Sequence, residues 1–176
     1  MSEPKRALLV IDLQTGMRDE LVDHQQLIAH AKALIAWARN SDTPVAFVRH
    51  DGPPGDGLAP GAPGWPVDPA LGQIAQEPTF SKSVGDAFSR PELEAWLRAN
   101  DVDELILAGA QTDQCVKATL GGALRCGFAV TVAADAHGTC DWNGETAPQI
   151  IARHNAMFVD QGARLATTAQ ISGASN

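Results

Sequence analysis

The chain has 176 residues, 44% of them hydrophobic and 19% charged, with a formal net charge of −8. That length suffices for one domain, residues 1–176, with a sizeable core. The acidic balance and the lack of any Lys/Arg cluster argue against nucleic acid or a membrane surface as a partner, because both are bound mainly through clustered cations.

The three cysteines cannot all pair within one chain, and none sits in a CxxC motif. Reduced thiols in a cytoplasmic protein are expected, rather than a disulfide framework or a structural zinc site. The first apolar run, Ala7 to Ile11, is too short for a signal core or a membrane span, and no later segment is long enough either.

That run ends at Asp12 and reads as a strand buried on both faces. From Gln25 to Arg39, residues Leu27, Ile28, Ala31, Leu34, Ile35 and Ala38 recur at helical spacing. Ser41-Asp42-Thr43-Pro44 stops the helix, and Val45 to Val48 forms a second strand ending at Arg49-His50-Asp51. Residues 51–69 carry six prolines around one aromatic, Trp65. Such a long loop is functional or disordered, and here the prolines and the Trp favour a stiff lid.

A short strand follows at Thr79–Ser83. Ser89 and Glu92 then make a capping-box pattern, with Pro91 in the first turn of a helix through Leu93, Trp96 and Leu97. Leu105 to Ala108 is the next buried strand. A helix follows from about Asp113, ended by Gly127. Ala129 to Val132, a helix around Ile150–Phe158, and Arg164–Ala166 complete the series. Strands alternate with helices, which predicts an α/β fold: a three-layer, doubly wound sandwich around a mostly parallel, six-stranded Rossmann-like sheet.

Ligands of such sheets bind beyond the carboxyl ends of the strands. Three reactive side chains fall there: Asp12 after the first strand, Lys82 at the end of the third, and Cys115 at the helix start after the fourth. Singly, each has a plain structural role as a turn residue, a solvated cation or a small buried hydrophobe. Together they suit nucleophilic catalysis. A helix N-terminus and an ammonium lower a thiol pKa, and a carboxylate takes and returns its proton. Ala108-Gly109-Ala110 lets the backbone approach a substrate closely, and amides at the turn and helix start are free to bind an oxyanion.

Three segments carry a more specific signal: Val10-Ile11-Asp12-Leu13-Gln14, Phe80-Ser81-Lys82-Ser83…Phe88, and Gly109-Ala110-Gln111-Thr112-Asp113-Gln114-Cys115-Val116. In order and spacing they resemble the isochorismatase-like cysteine hydrolases, a family that includes nicotinamidases and N-carbamoylsarcosine amidase. The likeness runs from about Lys5 to Thr168. It implies Asp12 as the proton-transferring carboxylate, Lys82 as its lysine and Cys115 as the nucleophile. It also implies a cis peptide at Ala110–Gln111 and an oxyanion hole from the amides of Gln111 and Cys115.

One departure stands out. Nicotinamidases carry an Asp-x-His…His metal site after the second strand, whereas this chain has Arg49-His50-Asp51 with no second histidine before His137. No catalytic metal and no cofactor are expected, and Gln14, His50, Trp65 and Thr112 are candidate pocket residues. Cys126 and His154 read as packing residues, and His24 and His30 as exposed. The expected reaction is hydrolysis of a small amide or ureido C–N bond through a thioester. The rivals are isochorismatase-type vinyl ether hydrolysis and a non-catalytic binding protein on the same fold. The resemblance implies a small-molecule substrate and a homodimer or homotetramer.

Overall fold

Five apolar residues in succession, Ala7 to Ile11, are at most 1% exposed, and they explain the architecture. Only a strand covered on both faces hides such a run. In the computed structural model, which describes residues 3–174, this is β1 (Arg6–Ile11), followed by β2 (Val45–His50), β3 (Thr79–Lys82), β4 (Glu104–Ala110), β5 (Ala129–Gly138) and β6 (Arg164–Ala166). The sheet order is β3-β2-β1-β4-β5-β6 and every pair is parallel. The helices are α1 (His24–Asn40), α2 (Pro91–Ala99), α3 (Lys117–Arg125), α4 (Ala147–Asp160) and α5 (Thr168–Ser172).

The two-residue period of a strand sorts β1 into two cores. Ala7, Leu9 and Ile11 join Leu93, Leu97, Leu120 and Phe158 on the side of α2, α3 and α4. Leu8 and Val10 join Leu27, Ile28, Leu34 and Ile35 of α1 on the other. The strand order turns around between β1 and β4, so the crevice at their carboxyl ends is where a ligand is expected.

Several boundaries differ from the sequence expectation. The Ser89–Glu92 capping box does not form. Arg90, in extended conformation, is the N-cap and Pro91 opens α2. Asp86 instead caps a short 3-10 turn, accepting from Phe88 N at 2.8 Å. β5 runs on to Gly138 after a register shift against β4 between Leu107 and Gly109. α4 starts at Ala147 with a Thr146/Gln149 capping box, and α5 was not expected. His24 and His30 are half-buried rather than exposed.

The proline-rich loop after β2 is stitched down. Thr15 N donates to Pro66 O, Gly16 N to Gly64 O, and Asp68 N to Leu13 O, each at 2.9 Å. A Cβ on Gly64 would fall 2.6 Å from the Gly57 carbonyl oxygen, so this seam needs a glycine. Among the described residues, no helix is long and apolar enough to cross a membrane.

Candidate active site

Asp12, His50 and Lys82 stand in a row at the carboxyl ends of β1, β2 and β3. Strands lie about 4.8 Å apart, so β3 is roughly 10 Å from β1. Lys82 spans that gap with its long side chain, above the intervening β2. Its ammonium donates to Asp12 Oδ2 at 2.8 Å, to Cys115 Sγ at 3.3 Å and to His50 Nδ1 at 3.3 Å. Three donors meet three acceptors, and the lysine side chain is only 1% exposed. The carboxylate, ammonium and sulfur from three distant segments therefore meet.

Asp12 has φ +50°, a left-handed conformation that Asp tolerates better than most residues. Beside it, Gly109 has φ +133°, and a Cβ there would lie 2.1 Å from Ile11 O. Only glycine lets β4 pass this close to β1 where Asp12 leaves the strand.

Cys115 lies in a single π turn, Thr112–Val116, ahead of α3, rather than in the α-helix expected from about Asp113. The Gln111 carbonyl accepts from Val116 N at 3.1 Å. In an α-helix, Cys115 N would take that carbonyl, so the wider turn releases the Cys115 amide from it. The Ala110–Gln111 peptide bond is cis.

Burial raises the Asp12 carboxyl above its ordinary range, against the opposing pull of Lys82. Its Oδ1 is buried without a hydrogen-bond partner, an unused acceptor beside the sulfur. Burial, then the Asp12 charge, push the Cys115 thiol up to about 12, and Lys82 opposes both. Burial therefore opposes the thiolate expected near neutrality. A base beside the sulfur would offset that burial, and the Asp12 carboxylate stands in reach.

An open cavity of about 490 Å³ exposes Cys115 and is lined also by His50, Asp113, Lys117 and Arg125. Of the four candidate pocket residues, only His50 lines it. Gln14 is 0% exposed, and its amide bonds to the backbone of His50 and Trp65. Trp65 lies under Arg49, 3.6 Å from guanidinium to ring, and donates to Asp51. Thr112 is also 0% exposed and bonds His137 Nδ1 at 2.8 Å. These three are struts rather than walls. A larger depression of about 740 Å³, lined by Lys5, Arg6 and Trp37, lies at the opposite, amino ends of the strands, away from the reactive side chains.

Sequence reasoning passed over His137. It is buried and tied to Asn155 Oδ1 at 2.8 Å as well as to Thr112. Its only trace in the sequence is that, with Asp135, it breaks the apolar run at the strand end. Lys117 and Arg125 were equally illegible, because an exposed cation on a helix carries no mark of the cavity beside it. Cys126 closes α3, its thiol against Glu94, and His154 is buried with Nδ1 on Ile150 O. Cys140 touches the Gln111 side chain at 4.0 Å.

Among the described residues, the one group of His, Cys, Asp or Glu side chains close enough to hold an ion is Asp12, His50 and Cys115, within 4.8 Å of one another. All three already face the Lys82 ammonium. A metal there has to displace a buried cation, so these residues do not fit one.

The fold and the site define a doubly wound α/β protein with a thiol, a carboxylate and an ammonium gathered at the strand switch point. Residues 6–170 match the Isochorismatase domain family, and the chain belongs to that family. It is 34% identical over 143 residues to a streptothricin hydrolase of Streptomyces noursei, a match covering 77% of this chain and 50% of that protein. The chain thus spans about half the length of that relative. It is 29% identical to the nicotinamidase of Escherichia coli, covering 75% of this chain and 82% of that one. The solved structure of an isochorismatase from Pseudomonas putida KT2440 superposes with a TM-score of 0.88 at 27% identity, covering 96% and 93% of the two chains.

Proposed function

We propose that this chain is a cysteine hydrolase that cleaves the C–N bond of a small amide or ureido compound through a thioester. The observation that carries this reading is the Lys82 ammonium, 2.8 Å from Asp12 and 3.3 Å from the Cys115 sulfur, beside a carboxylate oxygen with no partner. The names of the relatives, a hydrolase of streptothricin and a nicotinamidase, support the same class of reaction.

Cys115 attacks the carbonyl carbon while its proton passes to Asp12. The resulting oxyanion rests on the amides of Gln111 and Cys115. Asp12 then returns the proton to the departing nitrogen, the C–N bond breaks and a thioester remains. Water gives a proton to Asp12 as it attacks the thioester. The sulfur leaves and recovers that proton, and the acid is released. Lys82 stays charged throughout, offsetting the negative charge that moves between carboxylate and sulfur. The cavity of about 490 Å³ suits a small substrate.

The test is ammonia release from a panel of primary amides and ureido acids, with wild type and Cys115→Ala side by side. The proposal expects turnover of at least one compound and a loss of at least about 10³-fold in the variant. Vinyl ether hydrolysis that survives Cys115→Ala, with no amide turned over by the wild type, would instead establish the rival reaction.

A further inference from the structure

We propose that His50 is the positioning residue of Lys82: its unprotonated Nδ1 takes the third ammonium N–H and holds the cation between Asp12 and Cys115. The inference deepens the proposed hydrolase reading and rests on it for its catalytic meaning.

Three observations carry it. The first is donor arithmetic. A lysine ammonium has three N–H groups and no lone pair. Two go to Asp12 Oδ2 and Cys115 Sγ, and the third reaches His50 Nδ1 at 3.3 Å. Since the ammonium only donates, Nδ1 is the acceptor, and the neutral ring carries its proton on Nε2.

The second is register. His50 pairs with Lys82 across β2 and β3, so both side chains leave the same face, and the imidazole stands under the lysine stem as it crosses to β1.

The third is support. His50 N donates to Gln14 Oε1 at 2.9 Å, and Gln14 Nε2 donates back to His50 O at 3.0 Å. Gln14 is fully buried, and the last residue of β2 is thereby pinned by a side chain acting as a strand partner.

Without an acceptor at this place, a buried N–H is left unpaired. The ammonium then turns toward the nearer and fully charged partner, the Asp12 carboxylate, and away from the sulfur. The Cys115 thiolate loses its counter-charge, and the sulfur becomes less reactive although Asp12, Lys82 and Cys115 are all present.

The experiment measures the second-order rate of Cys115 carbamoylmethylation by iodoacetamide at pH 8.5 in the full chain, by peptide mass spectrometry, so that Cys126 and Cys140 are scored separately. His50→Leu fills the space without an acceptor. His50→Asn places its amide oxygen where Nδ1 stood. The expected result is a fall of about tenfold for the Leu variant, the scale of one lost hydrogen bond to a charged group, and a rate within about threefold of wild type for the Asn variant. Cys126 and Cys140 keep their wild-type rates in both, which shows that the fold is intact.

A Leu variant that labels at the wild-type rate overturns the proposal. So does an equal fall in both variants, because His50 would then matter as a packed ring and not as an acceptor. Labelling needs no substrate. If the pattern holds while no amide or ureido compound is hydrolysed, His50 keeps its place and the reaction class falls.

Discussion

Lowering the pH should destabilise this fold through one buried imidazole. His137 is buried between Thr112 and Asn155, and burial pushes its pKa down to about 4. In the unfolded chain it titrates near the ordinary value of about 6.5. Above 6.5 neither state is protonated, and His137 contributes no pH dependence. Between 6.5 and 4 the unfolded chain takes up a proton that the native state refuses, so stability falls as pH drops. Below 4 both states are protonated and the loss stops growing. Integrated from pH 7 to pH 4.5, the contribution is about 2 kcal/mol.

His137→Asn keeps an acceptor for Thr112 and removes the titration. Urea unfolding of both proteins at pH 7 and pH 4.5, followed by tryptophan fluorescence, isolates the effect, since every other acid-sensitive group is common to both. The wild type should lose about 2 kcal/mol more than the variant across that interval. Equal losses would refute the reasoning, because His137 would then accept its proton in the folded state as readily as in the unfolded.

Other outcomes follow from the same geometry. Lys82→Met strands the Asp12 carboxylate in the interior and should cost about 3–5 kcal/mol at pH 7. Adding Asp12→Asn should recover much of that in urea melts, and a strictly additive double variant would mean the two groups are independent. Asp12→Asn alone should lower turnover by at least about 10²-fold, because the proposed base is lost, and should also lower the urea midpoint, because the buried Lys82 ammonium is left without its counter-charge. Gly109→Ala, whose Cβ meets Ile11 O at 2.1 Å, should lower stability by more than about 3 kcal/mol or prevent folding, as judged by circular dichroism and soluble yield. Gln14→Leu leaves the His50 and Trp65 backbone groups unpaired and should cost about 2–4 kcal/mol, read as a drop in the urea midpoint.

Much of the sheet was legible because parallel strands declare themselves as unbroken apolar runs, and β1, β2 and β4 do so. The second half of β5 did not show in the apolar pattern, since Asp135 and His137 interrupt it and their partners, Thr168 and Thr112, lie far away in sequence; the family resemblance alone marked Val132–Ala136 as a strand end. Asp12, Lys82 and Cys115 were found by position, each at the carboxyl end of a strand. The electrostatics of the sulfur were legible only in part. The dipole and the ammonium are visible in the chain, but the depth of burial that opposes them appears only in three dimensions. Gln14 and Thr112 were placed in the right neighbourhood with the wrong job, because polar side chains near a site look alike until their hydrogen bonds are traced. The loop of residues 51–69 was expected to be stiff, and it is ordered, but what orders it is a backbone seam against Thr15 and Gly16, not its prolines alone.

The reach of Lys82 has a further consequence. The cation that balances the whole centre is borne by four-residue β3 at the rim of the sheet, which pairs with β2 alone. Rim strands let go before interior ones when a protein is warmed. The reactive centre therefore inherits the thermal endurance of its weakest neighbour, and warming should silence the sulfur while the greater part of the molecule is still folded around it.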